Sequence, residues 1–342
     1  QPSAVVGKIV DDGNKDSKDP LIDVKMTVKN NTVSFPSGQL TNCNFLGTFT
    51  NRDTVGKPIG DPNSAIKLFA LRGDYYNVPL KIDTFSITNL ERPIGKGLVT
   101  AQFPLEKLNS SLGGETLNFK NGTADLKLYC KVDIENFKFT KPDLSGNVFI
   151  KNADITYIPR GMKLINSSLT LNFDQKNLNI TNSRFQLGKS ILTMNCGIEN
   201  FLNFYYSDPQ KILANLKLNS PQLNLSEFMF LLGQRKTVKR HSKNKNAIKE
   251  VSDQLSAVLE ASRVNIQLDV KQATYNRFVA KNLNASISLF GDGIHFNKIN
   301  VSHAGGNVNL NGKITQAGSN NKFNLNANIN GVSIANFFYA FG

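Results

Sequence analysis

The chain of 342 residues has no tryptophan, only three histidines and three cysteines, and only 19% charged residues. Cys43, Cys130 and Cys196 are odd in number and lack a short paired spacing. That excludes a zinc-ribbon pattern and a disulfide framework covering all of them, and leaves small buried apolar residues as their reading. His241 sits among basic residues, His295 lies on the polar phase between Ile294 and Phe296, and His303 lies on an apolar phase. His-x-x-x-His, Cys-x-x-Cys, Gly-x-Ser-x-Gly and a phosphate loop are all missing, so no zinc, redox or acyl-transfer chemistry is signalled. Carboxylates such as Asp74, Asp83 and Glu91 are scattered without a repeated partner. We therefore expect no enzyme, no cofactor and no metal. No window approaches the ~20 apolar residues of a spanning helix. There is no starting methionine and no signal peptide, and the chain ends on Gly342 where its pattern would continue. An excised part of a longer protein is expected.

What is present is alternation. Ile22-Asp-Val-Lys-Met-Thr-Val28, Ala124-Asp-Leu-Lys-Leu-Tyr-Cys-Lys-Val-Asp-Ile134 and Phe323-Asn-Leu-Asn-Ala-Asn-Ile329 alternate apolar with polar residues. A period of two buries one face of a strand and wets the other, as in antiparallel sheets. Outward positions are mostly Asn, Lys, Asp, Thr and Ser. Turns are expected at Asn121-Gly122, Gly291-Asp-Gly293, Gly305-Gly306 and Asn311-Gly312. Their close spacing indicates a meander rather than crossover helices. Asn-x-Ser/Thr triplets recur, for example at Asn109, Asn166 and Asn284. In so asparagine-rich a chain they are compositional.

The alternation is organised in repeats. Phe103-Pro-Leu-Glu-Lys-Leu-Asn-Ser-Ser-Leu-Gly113, Leu223-Asn-Leu-Ser-Glu-Phe-Met-Phe-Leu-Leu-Gly233 and Val332-Ser-Ile-Ala-Asn-Phe-Phe-Tyr-Ala-Phe-Gly342 each follow a strand-like run with a short apolar helix signal and a glycine. Upstream, Asn166-Ser-Ser-Leu-Thr-Leu-Asn-Phe173 overlies Asn282-Leu-Asn-Ala-Ser-Ile-Ser-Leu289, an offset of 282 − 166 = 116. The same offset puts Leu178 and Ile180 on Ile294 and Phe296, and Leu192 and Met194 on Val308 and Leu310. Lys29-Asn-Asn-Thr-Val-Ser-Phe35 likewise resembles Lys151-Asn-Ala-Asp-Ile-Thr-Tyr157. Self-similarity at long spacing marks a repeat architecture with one continuous core. The expected organisation is a flexible segment 1–20, β modules 21–113, 114–233 and 264–342, and a connecting segment 234–263. Short helices should close the modules near 104–112, 226–232 and 333–341. The fold class is mainly β: elongated, curved antiparallel sheets with short capping helices.

The net charge of +14 is uneven. Arg235, Lys236, Lys239, Arg240, Lys243, Lys245 and Lys249 form a run uninterrupted by any acid until Glu250. Residues 234–245 have no apolar periodicity and read as a mobile loop. Ile248, Val251, Leu255, Val258 and Leu259 then recur at helical spacing over 247–262, giving one apolar stripe. No nucleic-acid-binding module accompanies the charge, and lysine outnumbers arginine, which suits diffuse attraction to an anionic membrane surface better than base readout. A solvated linker is the alternative. Nucleic acid is not an expected partner.

Several of these stretches resemble one known family. Leu144-Ser-Gly-Asn-Val-Phe-Ile-Lys-Asn-Ala-Asp-Ile-Thr-Tyr157, Ser190-Ile-Leu-Thr-Met-Asn-Cys-Gly197, the Leu-Asn-Leu-Ser-Glu-Phe ending at Phe228 and the run Gly305-Gly-Asn-Val-Asn-Leu-Asn-Gly312 look like the AsmA-like C-terminal region. The resemblance covers most of residues 21–342. It implies a Gram-negative envelope protein in the periplasm, anchored in the inner membrane by a segment absent from this chain. It also implies kinship with bridge-like lipid transfer proteins, whose repeating β-grooves form an apolar trough for phospholipid or other acyl lipid between inner and outer membranes, with envelope proteins at either end. The basic loop is not part of that family pattern. Groove candidates are Leu169, Leu171, Phe173, Leu178, Ile180, Leu192 and Met194 in the second module, and Ile287, Leu289, Ile294, Phe296, Val308 and Leu310 in the third. Two sheets packed face to face, forming a closed structural or interaction module, would use the same residues as a dry core.

Overall fold

Alternating chains of this kind bury one face only if neighbouring strands keep their registers aligned. In the computed structural model they do so across one sheet. Residues 3–10, 20–35, 38–111, 116–135, 138–231, 258, 262–290, 293–317 and 320–341 are described. Strands β1 (Ala4–Val10), β2 (Leu21–Phe35), β3 (Gly38–Thr50), β4 (Ala65–Tyr75), β5 (Val78–Thr88) and β6 (Ile94–Pro104) form an antiparallel meander. The sheet continues through β7 (Leu117–Lys120), β8 (Thr123–Glu135), β9 (Lys138–Tyr157), β10 (Met162–Gln175), β11 (Asn177–Leu187), β12 (Ser190–Ile198) and β13 (Leu213–Asn224). It ends with β14 (Arg263–Tyr275), β15 (Phe278–Phe290), β16 (Gly293–His303), β17 (Gly306–Ala317) and β18 (Asn320–Asn330). The result is a single long, open, curved sheet.

The sheet is mixed rather than wholly antiparallel. β13 and β14 pair in parallel, from Leu213 opposite Arg263 to Asn224 opposite Thr274. A parallel neighbour requires the chain to return to the starting end; residues 225–262 make that return. The first module joins the second differently. β6 pairs antiparallel with β8, from Ile94 opposite Asp133 to Pro104 opposite Thr123. Neither joint interrupts the ladder.

Three expected turns resolve differently. Ala304 and Gly305 both have positive φ, 48° and 87°, and make the tight β16–β17 turn. Asn121-Gly122 is a bend within one ladder: β7 and β8 both pair with β9, Lys120 opposite Asp154 and Thr123 opposite Lys151. Asn311-Gly312 lies inside β17, where Gly312 adopts φ 146°. A Cβ there would sit 2.1 Å from the Asn324 carbonyl oxygen, so this glycine permits close approach of β18.

The repeated asparagines have a common backbone role. Asn30, Asn42, Asn152, Asn166, Asn182 and Asn282 lie inside strands yet have φ between 47° and 53°. Asparagine tolerates this left-handed conformation better than most residues. A register shift accompanies each, such as Leu164/Ser167 in β10 against β9 and Lys281/Asn284 in β15 against β16. These are β-bulges, which bend and twist the strands carrying them. Side chains on neighbouring strands satisfy the displaced amides. Asn30 N–H donates to Asn44 Oδ1 (3.0 Å), Asn152 N–H to Ser168 Oγ (3.1 Å) and Asn166 N–H to Asp154 Oδ1 (3.0 Å).

Short helical segments sit where each repeat ends. A 3₁₀ turn, Leu105–Lys107, runs into α1 (Leu108–Ser111). Leu225–Leu231 is a 3₁₀ segment, and α3 (Ile334–Phe341) is an α-helix. A further helix, α2 (Phe201–Ser207), lies between β12 and β13. Asn109 ties α1 to β7 by imitating a strand neighbour: it donates to the Phe119 carbonyl and accepts from the Phe119 amide, both at 2.8 Å. Residues 4–10, expected within a flexible segment, instead form the strand paired with β2. The expected basic loop lies outside the described residues, as does the following helix except for Val258, which is buried.

Candidate functional site: one apolar face

Directly opposed residues in a sheet share a face, so the registers show which candidates come together. Phe173 opposes Leu178, then Ile198, Ala214, Val264, Leu289, Ile294 and Ile314 follow strand by strand. A second row runs Leu171, Ile180, Cys196, Leu216, Ile266, Ile287 and Phe296. A third runs Met194, Leu218, Leu268, Ala285, Ile299 and Leu310. Leu169 opposes Ile150, Leu192 opposes Phe185 and Val308 opposes Val301, all on the same face by their period-two relation to these rows. All thirteen candidates lie on that face. It crosses the parallel β13–β14 joint without a break.

Burial along the face is uneven. Leu178, Leu192 and Ile294 are buried, and the other ten candidates are half-buried. The dry parts form three clusters. One holds Leu40, Cys43, Leu71 and Ile82, and another Phe103, Leu105, Phe119 and Ala153. The third, around Leu187, Leu192, Leu223 and Val270, is also packed by Leu225 and Phe228 of the 3₁₀ segment. Val270 and Ala280 there are fully buried, which is what a closed core does to its residues. No second sheet covers the half-buried rows among the described residues. At the β18 edge the same face is open: Phe323 is 58% and Leu325 43% exposed.

The residues that shape this face escaped sequence reasoning. Glu227, in the 3₁₀ segment, accepts from the Lys189 amide (2.6 Å), the Ser190 amide (3.2 Å) and the Ser190 hydroxyl (2.5 Å). It thereby fixes the segment onto the β11–β12 turn and over the end of the apolar face. Its only signal was a carboxylate at the fifth position of the ending Leu223–Gly233.

His303 faces inward as its phase predicts. Its Nδ1 lies 2.7 Å from the Val279 carbonyl oxygen, between the rings of Phe278 and Phe337 at centroid distances of 4.4 and 6.0 Å. His295 is exposed on the polar face. The three cysteines are free thiols. Burial pushes all three up from the ordinary thiol value, Cys196 to about 11, so they are protonated, unreactive packing residues near neutrality. Among the described residues no three His, Cys, Asp or Glu side chains group to hold a metal, and no helix is long and apolar enough to cross a membrane. Arg235, Lys236, Lys239, Arg240, Lys243 and Lys245 lie outside the described residues. Among the described residues the arrangement offers apolar contact along one face. No protein-family model, curated protein or solved structure matches this chain.

Proposed function

We propose that this chain is part of a cell-envelope protein that holds lipid acyl chains along its apolar face and supports lipid movement between membranes without catalysis. The supporting observation is the continuity of the face: the aligned rows run from β9 to β17 across the module joint, part buried and part half-buried, and without a covering sheet among the described residues. Exposed apolar area on this scale calls for an apolar occupant. An acyl chain laid along it gains about 0.8 kcal/mol per buried CH₂. The polar headgroup stays in water at the open side, so a lipid moves along the face without its charge crossing an apolar layer.

The AsmA-like resemblance extends the proposal to a periplasmic protein anchored in the inner membrane, with phospholipid as cargo and envelope proteins at its ends. Cations at 235–245 add attraction to an anionic bilayer of about 1 kcal/mol per lysine or arginine near the surface. Native mass spectrometry after mild extraction tests the central claim. The expected spectrum shows mass adducts that fragment to phospholipid or fatty acid. A single lipid-free species from preparations that keep the fold would support a closed interaction module instead.

A further inference from the structure

The opposite, polar face carries a feature the acyl reading does not use. An open depression of about 410 Å³ lies there over the β13–β14 joint and the strands beside it. Two outward rows line it. Lys217, Gln267, Ser286 and Lys298 oppose one another across β13, β14, β15 and β16. Asn219, Asp269, Asn284 and Asn300 form the adjacent row on the same strands. Register shifts at Lys281/Asn284 and Ser286/Ile287 flank these rows and bend the sheet beside them. The floor is backbone, because Leu218, Leu268 and Ala285 send their side chains to the apolar face.

The wall is polar but unpartnered. Of the eight side chains only Asn284 makes a side-chain hydrogen bond among the described residues, to the Asn282 carbonyl. Lys217, Lys298 and Asp269 form no ion pair there. Among the described residues Asn300 Oδ1 is buried with no hydrogen-bond partner, so the polar groups here do not fully satisfy one another. From the geometry we infer a binding site for a phosphorylated polyol. Hydroxyl groups both donate and accept, matching amides, serine and a lone carboxylate together. Lys217 and Lys298 outnumber Asp269 by one charge and favour an anion. The two lysines stand on strands three apart, about 14 Å at the usual strand spacing, which a ring with a phosphate fits better than phosphate alone. Among the described residues no aromatic ring lines the depression for base stacking.

Isothermal titration with myo-inositol 1-phosphate tests the site, with inositol and inorganic phosphate as comparators. Wild type should bind the phosphorylated polyol at least about tenfold more tightly than either comparator, and K217Q/K298Q should lose about tenfold or more. Both lysines are exposed, so the variant should keep its melting temperature and its acyl-chain capture. Phosphatidylinositol in phosphatidylcholine vesicles forms the second arm. Lysine-dependent binding there as well assigns a lipid headgroup, and lysine-dependent binding of the free compound alone assigns a soluble ligand. Equal affinity for inorganic phosphate, unchanged affinity in the variant, or no binding in wild type overturns the site. Because it lies on the other face, none of these results bears on acyl binding.

Discussion

A charge placed on the apolar face separates an open wall from a dry core. Leu192 is 1% exposed inside the cluster with Leu187, Leu223 and Val270, whereas Leu171 is half-buried in the middle row. In Leu192→Asp the loss of a packed leucine costs about 2–5 kcal/mol. The carboxylate must then ionise in an unpaired dry site or stay protonated, which adds several kcal/mol. That total rivals the ~5–15 kcal/mol stability of a whole domain. Leu171→Asp forfeits most of a leucine's burial, about 1–2 kcal/mol, but its carboxylate keeps contact with water and avoids the larger charge-burial cost. Urea unfolding followed by far-ultraviolet circular dichroism should show Leu171→Asp folded with a slightly lower midpoint and Leu192→Asp largely unfolded. Capture of a fluorescent fatty acid should be lost in Leu171→Asp despite the intact fold. If Leu171→Asp unfolds as Leu192→Asp does, the face is closed and dry. If it folds and still captures the probe, acyl chains do not use this wall.

Other perturbations test the frame. Asn166→Ala places a Cβ-bearing residue without an amide at φ 49° and should cost about 1–2 kcal/mol in urea unfolding, with Asn166→Gly less costly. Raising the pH should weaken the fold: the Cys196 thiol is raised from 9.0 to about 11, so the unfolded state loses its proton first and stability falls as pH passes above about 9. Thermal melts of Cys196→Ala should show a smaller loss over that range. Thiol labelling of wild type at pH 8 should be slow until denaturant is added. Deleting 235–245 should leave the melting temperature unchanged and weaken binding to anionic vesicles at low salt, a difference that disappears as added salt shortens the Debye length. Unchanged vesicle affinity would make the segment a linker.

What depends on local alternation was legible in the chain. Period-two runs such as Ala124 to Ile134 specify strands, and phase alone sends His303 inward and His295 outward. The 116-residue offset also placed Leu178 with Ile294 and Leu192 with Val308 on one face, because side-chain direction follows from phase once strands pair. The bulges were present in the letters but not legible as such. Asn166 and Asn282 coincide in the repeat, yet asparagine is common here, and nothing local marks which ones take the left-handed conformation. Asn311-Gly312 read as a turn for the same reason. Only the position of β18 against it shows a close approach within a strand.

Tertiary structure alone decided how far the sheet extends and what covers it. Pairing of β13 with β14 in parallel rests on a return through residues 225–262, and parallel and antiparallel partners present the same alternation. A dry core and an open wall also share one sequence pattern, since both need apolar residues at every second position. What separates Val270, fully buried, from Leu171, half-buried, is the presence of helical segments and neighbouring strands over one and not the other. Those contacts join residues far apart in the chain, so no window of sequence contains them.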